Sequence, residues 1–248
     1  MIHVSRPPIL VGTFEAAVRL LVINPNTTTS MTRKIEVAAK AVAASDTEIV
    51  ATNSQHGPAS IQGYLDGAAC LPGLLAEAAR HPDADAIVVA CFDDTGVDAL
   101  RCTTTAPVIG IGEAAYHAAS IISAKFSVVT TLSRSIPILE ANLVRYGLDS
   151  RCVRVRASEV PVLELENGDP GSTERIRNEI RDAIENDGVE AIVLGCAGMT
   201  DLMQSFSNEF GLPVVDGVAC GVAFAEALVR AKLSTSKLSS YAPTDRHR

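Results

Sequence analysis

The chain has 248 residues, 47% of them hydrophobic and 4% aromatic with no tryptophan, and it carries a formal charge of −8. That length supports one large or two small α/β domains, and the abundance of Ala, Val, Ile and Leu suits helices packed on buried parallel strands. The acidic balance, with no basic run before the tail, argues against a general nucleic-acid binder, and the absence of a long apolar stretch argues against a membrane span.

Residues 1–18 contain Arg6, Pro7 and Pro8 before a short apolar run, too short and too early broken for a secretory signal, and read as a loosely ordered extension. Short runs rich in β-branched residues then alternate with helix-like segments, the pattern of βα units. The clearest strands are 20–24, 86–90, 107–111, 126–130, 191–195 and 213–216. Asn24-Pro25-Asn26-Thr27 after the first has the chemistry of a turn that caps a helix. Ser54-Gln-His-Gly-Pro-Ala-Ser60 resembles a site loop, in which His56 reads as a solvated side chain. Cys91 follows the second strand, with Asp94 or Thr95 placed to cap the next helix; Asp93-Asp94 has no His, Asp or Glu partners at metal-ligand spacing. Gly110-Ile-Gly112-Glu-Ala-Ala115 imitates a dinucleotide fingerprint, but the acidic residue expected some 20 positions later is missing. Cys196 follows the fifth strand, and Thr200 could cap the helix beyond it. From Ser234 onward the composition predicts a frayed tail.

The strands fall into two matching sets. Asp85-Ala-Ile-Val-Val-Ala-Cys91 corresponds to Glu190-Ala-Ile-Val-Leu-Gly-Cys196, and 69 residues from Val22 to Cys91 match 67 from Val129 to Cys196. The chain is therefore an internal duplication. Ligands of open parallel sheets bind beyond the carboxyl ends of the strands. Two halves facing each other would thus set Cys91 and Cys196 on opposite sides of one cleft. Inverting a carbon that bears an acidic hydrogen requires a base on one face and an acid on the other, and a thiolate–thiol pair supplies both without a cofactor or metal. The other cysteines, 70, 102, 152 and 220, have no counterparts across the repeat and read as small buried hydrophobes. With no CxxC pair and no export signal, all six are expected as free thiols in a cytoplasmic protein.

Val22-Ile-Asn-Pro-Asn-Thr27, Gly57-Pro-Ala-Ser-Ile-Gln-Gly63, Ala90-Cys-Phe-Asp-Asp-Thr-Gly96, Phe126-Ser-Val-Val-Thr-Thr131 and Leu194-Gly-Cys-Ala-Gly-Met199 resemble the hydantoin racemases of the aspartate/glutamate racemase superfamily. The resemblance runs over roughly residues 19 to 240. It implies two pseudo-twofold-related α/β domains, each a mostly parallel sheet flanked by helices: 19–115 with 217–240, and 116–216, leaving 241–248 as a poorly ordered tail. It further implies a homo-oligomer acting on a small molecule, racemisation of 5-monosubstituted hydantoins, and Cys91 and Cys196 as the catalytic pair. Asn24, Phe92, Asp93, Thr131, Ala197 and Gly198 are the expected substrate-binding residues. Amino-acid racemases of the superfamily carry Asn-Thr after the first cysteine to hold a carboxylate. Phe92-Asp93 would repel one and favour a neutral ring with N–H donors. Alternatives are an allantoin racemase or another two-cysteine isomerase, a non-catalytic small-molecule binding protein, and a nucleotide-dependent oxidoreductase built on residues 110–115.

Overall fold

Eight strands and eight α-helices alternate along residues 17–243, the part of the chain described by the computed structural model. Strands β1 (Val18–Asn24), β2 (Thr47–Asn53), β3 (Ala86–Val89) and β4 (Val108–Gly110) form one sheet in the order β2-β1-β3-β4. Strands β5 (Phe126–Thr130), β6 (Cys152–Ala157), β7 (Ala191–Gly195) and β8 (Val214–Asp216) form a second in the order β6-β5-β7-β8. Every pairing is parallel, and the order of the second sheet repeats that of the first. The expected α/β class and the duplication are both present.

The strands legible in the sequence are those covered on both faces. All residues of β3, β5 and β7 are buried, so each reads as an unbroken apolar run. The two strands absent from the sequence reading, β2 and β6, lie at the sheet edges and keep most residues half-exposed.

The helices are α1 (Thr29–Val42), α2 (Tyr64–Ala78), α3 (Val97–Arg101), α4 (Ile111–Ile122), α5 (Ile136–Tyr146), α6 (Pro170–Asp187), α7 (Met203–Phe210) and α8 (Gly217–Arg230). None among the described residues is long and apolar enough to cross a membrane. Helices α4 and α8 pack on each other and on strands of both sheets, so one apolar core runs from Val22 and Val88 through Tyr116 and Val222 to Val128 and Val193. Small residues permit this approach: a Cβ on Gly217 would lie 2.6 Å from the Ile111 carbonyl oxygen.

The position after residue 115, where one half was expected to give way to the next, falls inside α4, while α8 packs against β1, β3 and β4 of the first sheet. The core begins at Val18, already paired with β2 and buried. The tail expected to fray is instead docked as far as Tyr241. Thr235 donates to the Thr105 and Ala106 carbonyls, and Tyr241 donates to Asp98 while lying under the Arg101 guanidinium. Composition alone missed these pairings because their partners are more than a hundred residues away. Residues 1–16 and 244–248 lie outside the described residues.

Candidate active site

The two cysteines emerge from equivalent strand ends. Past β3, the Ala90 N–H continues the ladder by donating to the Ile23 carbonyl at 2.8 Å, and the chain then turns at Cys91. Past β7, Cys196 follows Gly195 directly. A Cβ on Gly195 would lie 2.8 Å from the Thr130 Cβ, so this glycine admits the neighbouring strand's threonine, whose hydroxyl donates to the Gly195 carbonyl. Side chains from both halves meet in one small cavity lined by Cys91, Phe92, Asp93, Thr131, Cys196 and Ala197, with a volume of about 30 Å³. Six of the eight site residues expected from sequence are thus brought together.

The other two are placed differently. Asn24 is fully buried and spends its amide on Asn26, Thr28 and Thr32, holding the turn into α1. It is Asn26, two residues on, that lines the cavity. Gly198 supports a sulfur from behind: its backbone N–H donates to Cys196 Sγ at 3.4 Å. Sequence reasoning missed Met31, Ile61, Ser135 and Val162, which close the cavity from α1, from the loop before α2, from the start of α5 and from the 3₁₀ segment Val162–Asn167. His56 is exposed on its loop.

The capping expectations require correction. The N-cap of α3 is Gly96, in a left-handed conformation and without a side-chain cap. Asp94 instead turns to α4, accepting from the backbone N–H of Gly112 at 2.9 Å and of Glu113 at 2.7 Å. Thr200 does not cap α7, whose N-cap is Leu202. The 3₁₀ turn Ala197–Leu202 intervenes, with the Cys196 sulfur as its own cap.

Each half also reaches over the other's cysteine loop. From α5, Asn142 donates to the Asp93 carbonyl and Tyr146 donates to the Asp94 carboxylate, both at 2.9 Å. From α1, which packs on the 197–202 turn, Lys34 donates to the Leu165 carbonyl and pairs with Glu166. The sulfurs are therefore located by contacts between the two halves.

Burial sets the electrostatics. It pushes the Cys196 thiol up to about 12 and the Cys91 thiol well above its ordinary value, and the carboxylate of Asp93 adds to both effects. The Asp93 N–H toward Cys91 and the Gly198 N–H toward Cys196 oppose it by favouring thiolate. Desolvation also raises the Asp93 carboxyl to about 7, and its Oδ2 is buried without a hydrogen-bond partner.

A doubled α/β fold with a thiol from each half in one cavity has the form of a racemase. The family model for Asp/Glu/hydantoin racemases matches residues 20–225, and the chain belongs to that family. It is 44% identical over 225 residues to a hydantoin racemase of Pseudomonas sp. (strain NS671), covering 90% of each chain. It is 48% identical over 224 residues to a hydantoin racemase of Rhizobium meliloti, covering 89% of this chain and 92% of the relative. Among solved structures, allantoin racemase from Klebsiella pneumoniae superposes with a TM-score of 0.90 at 42% identity, covering 92% of this chain and 94% of that one.

Proposed function

We propose that this enzyme interconverts the D and L forms of 5-monosubstituted hydantoins by proton transfer at C5 between Cys91 and Cys196, without a cofactor. The observation that carries the reading is that a thiol from each half of the duplicated fold lines one cavity. The C5 hydrogen is acidified by the adjacent C4 carbonyl. One sulfur, as thiolate, takes that proton; the C–H electron pair moves into the C4 carbonyl as an enolate. The opposite thiol then returns a proton to the other face of C5, leaving the thiolate on the second sulfur. For the other enantiomer the roles exchange.

Burial raises the cost of a thiolate on either sulfur, and the N–H groups aimed at the sulfurs offset it. Burial also strengthens the backbone dipoles that stabilise the developing enolate. Phe92, Thr131 and Ala197 wall the ring in this reading, and Asn24 acts only through the turn that places Asn26 and Met31. A homo-oligomeric, cytoplasmic enzyme completes the proposal.

A second reading has a specific observation behind it. Allantoin is a hydantoin with a ureido substituent at C5, and the solved allantoin racemase is a similar chain over nearly its whole length. One experiment addresses both. Single enantiomers of alkyl hydantoins, aryl hydantoins and allantoin are incubated with the enzyme in D₂O, and rotation and C5 deuteration are followed. Racemisation with exchange is expected, and the relative rates identify the preferred substituent. Cys91→Ser and Cys196→Ser should each lower the rate about 10²-fold or more while preserving the fold. Loss of neither racemisation nor exchange in these variants would rule the two-thiol mechanism out.

A further inference from the structure

Several buried side-chain oxygens lack a hydrogen-bond partner: Ser54 Oγ, Tyr116 Oη, Thr200 Oγ1, both carboxylate oxygens of Glu166, and Asp93 Oδ2. Among the described residues, only Asp93 of this group also lines the cavity shared by the two cysteines. A buried acceptor left unpaired is costly, more so if charged, and such groups in native proteins call for an account. The backbone that carries the Asp93 side chain is held on both sides, its carbonyl accepting from Asn142 and its N–H facing the Cys91 sulfur. Asp93 lines the same cavity as Cys91 and Cys196, and its carboxylate acts electrostatically on both.

Resting on the hydantoin reading, we propose that Asp93 is a specificity-determining residue whose carboxylate accepts the N1–H of the ring, the N–H bonded directly to the reacting C5. The alternative orientation would bring the C4 oxygen against the carboxylate, and that oxygen becomes negative as C5 loses its proton. Like charges at that distance in a dry site repel strongly. The N1 edge, on the other side of C5, presents a donor instead. The same carboxylate turns away ring-opened compounds that carry a carboxylate of their own. The titratable groups around Asp93 are Cys91 and Asp94 on its loop, Cys70 on α2, Tyr116 on α4 and Cys196 opposite, while α5 presents the neutral Asn142; none is a cation that would attract such a ligand.

The test uses 5,5-dimethylhydantoin, which has no C5 hydrogen and binds without turnover, and its N1-methyl derivative, each titrated calorimetrically into the full chain. A hydrogen bond to a charged group contributes about 1.5–3 kcal/mol, so wild-type affinity for the N1-methyl compound should be roughly 10- to 100-fold weaker. Because N1–H favours the ionised carboxylate, parent affinity should fall as pH drops through the free-state value of about 7. Asp93→Asn should remove that pH step and strengthen inhibition by N-carbamoyl amino acids. Asp93→Ala, which opens room for the methyl group, should bring the affinity ratio near one, and losing an unpaired buried carboxylate should not lower its melting temperature.

Equal wild-type affinity for the two compounds, or an undiminished preference for the parent in Asp93→Ala, overturns the assignment of Asp93. If the wild type racemises hydantoins while giving either result, the substrate reading stands and the Asp93 role falls alone. If it neither binds nor racemises any hydantoin, both fall.

Discussion

Asp93 and Asp94 are chemically identical neighbours with opposite surroundings. The Asp94 backbone adopts φ +53°, unusual for a residue other than glycine, and so turns its carboxylate away from the cavity. There it accepts from two N–H groups at the start of α4 and from the Tyr146 hydroxyl. This explains the glycine pair that imitates a dinucleotide fingerprint. A Cβ on Gly110 would lie 2.1 Å from Asp94 Oδ1, and one on Gly112 would lie 2.4 Å from the Phe92 carbonyl oxygen. The acceptor at this helix N-terminus is the protein's own side chain, fastening the Cys91 loop to α4. Gly112→Ala must displace backbone, so it should destabilise the fold by about 1–3 kcal/mol and move Cys91. The expected readouts are a lowered melting temperature and a fall in racemisation that persists well below the new melting point. An unchanged melting temperature would refute the packing argument. The cysteines themselves were legible because duplication put each at a strand end. Asn142 and Tyr146 were not, since they act on a loop about 50 residues away and no local pattern encodes such a contact.

At the scale of elements, the sequence displays what is buried on both sides and conceals what is not. Strand β6 alternates apolar and arginine residues, Cys152-Val-Arg-Val-Arg-Ala157, and its exposed positions dilute the apolar run that marks a central strand. What secures it is ionic. Arg156 makes a two-pronged contact with Asp187 at the end of α6, both bonds at 2.7 Å, and Ser127 of β5 donates to the same carboxylate at 2.9 Å. The Asp187 side chain is only 2% exposed and that of Arg156 11%, so this pair belongs to the interior class. The Arg156 guanidinium, more than any other influence, holds the Asp187 carboxyl below its ordinary value. Asp187→Asn removes the nearer of the two carboxylates on Arg156, leaving Glu179 at 3.5 Å, and should cost about 1–3 kcal/mol. Because the folded-state value is depressed, the pair's contribution is present above the ordinary carboxylate range and lost as pH falls through the lower, folded-state value. Thermal melts of wild type and Asp187→Asn should therefore differ widely at neutral pH and converge in strong acid. A constant gap across that range would show that charge is not what fastens β6.

For the whole molecule, the decisive feature is that neither half of the duplication is closed by its own consecutive chain. Helix α8 follows the last strand of the second sheet yet packs on β1, β3 and β4 of the first. Its Glu226 accepts from Ala44 N–H and the Thr47 hydroxyl, and its Arg230 pairs with Asp46, all at the entrance to β2. Val218, Val222 and Ala225 on its inner face are buried in the core that both sheets share. Burying one such valine stabilises by about 1.5–3 kcal/mol, and the helix carries two together with smaller apolar groups, against a total stability of about 5–15 kcal/mol for a typical native protein. The same joining positions the chemistry: α4 and α8 fix the spacing of the sheets, and the sheets fix the two strand ends from which Cys91 and Cys196 project. A chain ended after Asp216 should consequently lose the first sheet as well as the helix, giving an expanded species in gel filtration with no cooperative melt by circular dichroism. A truncated chain that melted cooperatively with native helix content in the remaining segments would mean that the halves fold independently and that α8 is an accessory. Their relative placement, and with it the pairing of the two thiols in one cavity, would then require some other restraint.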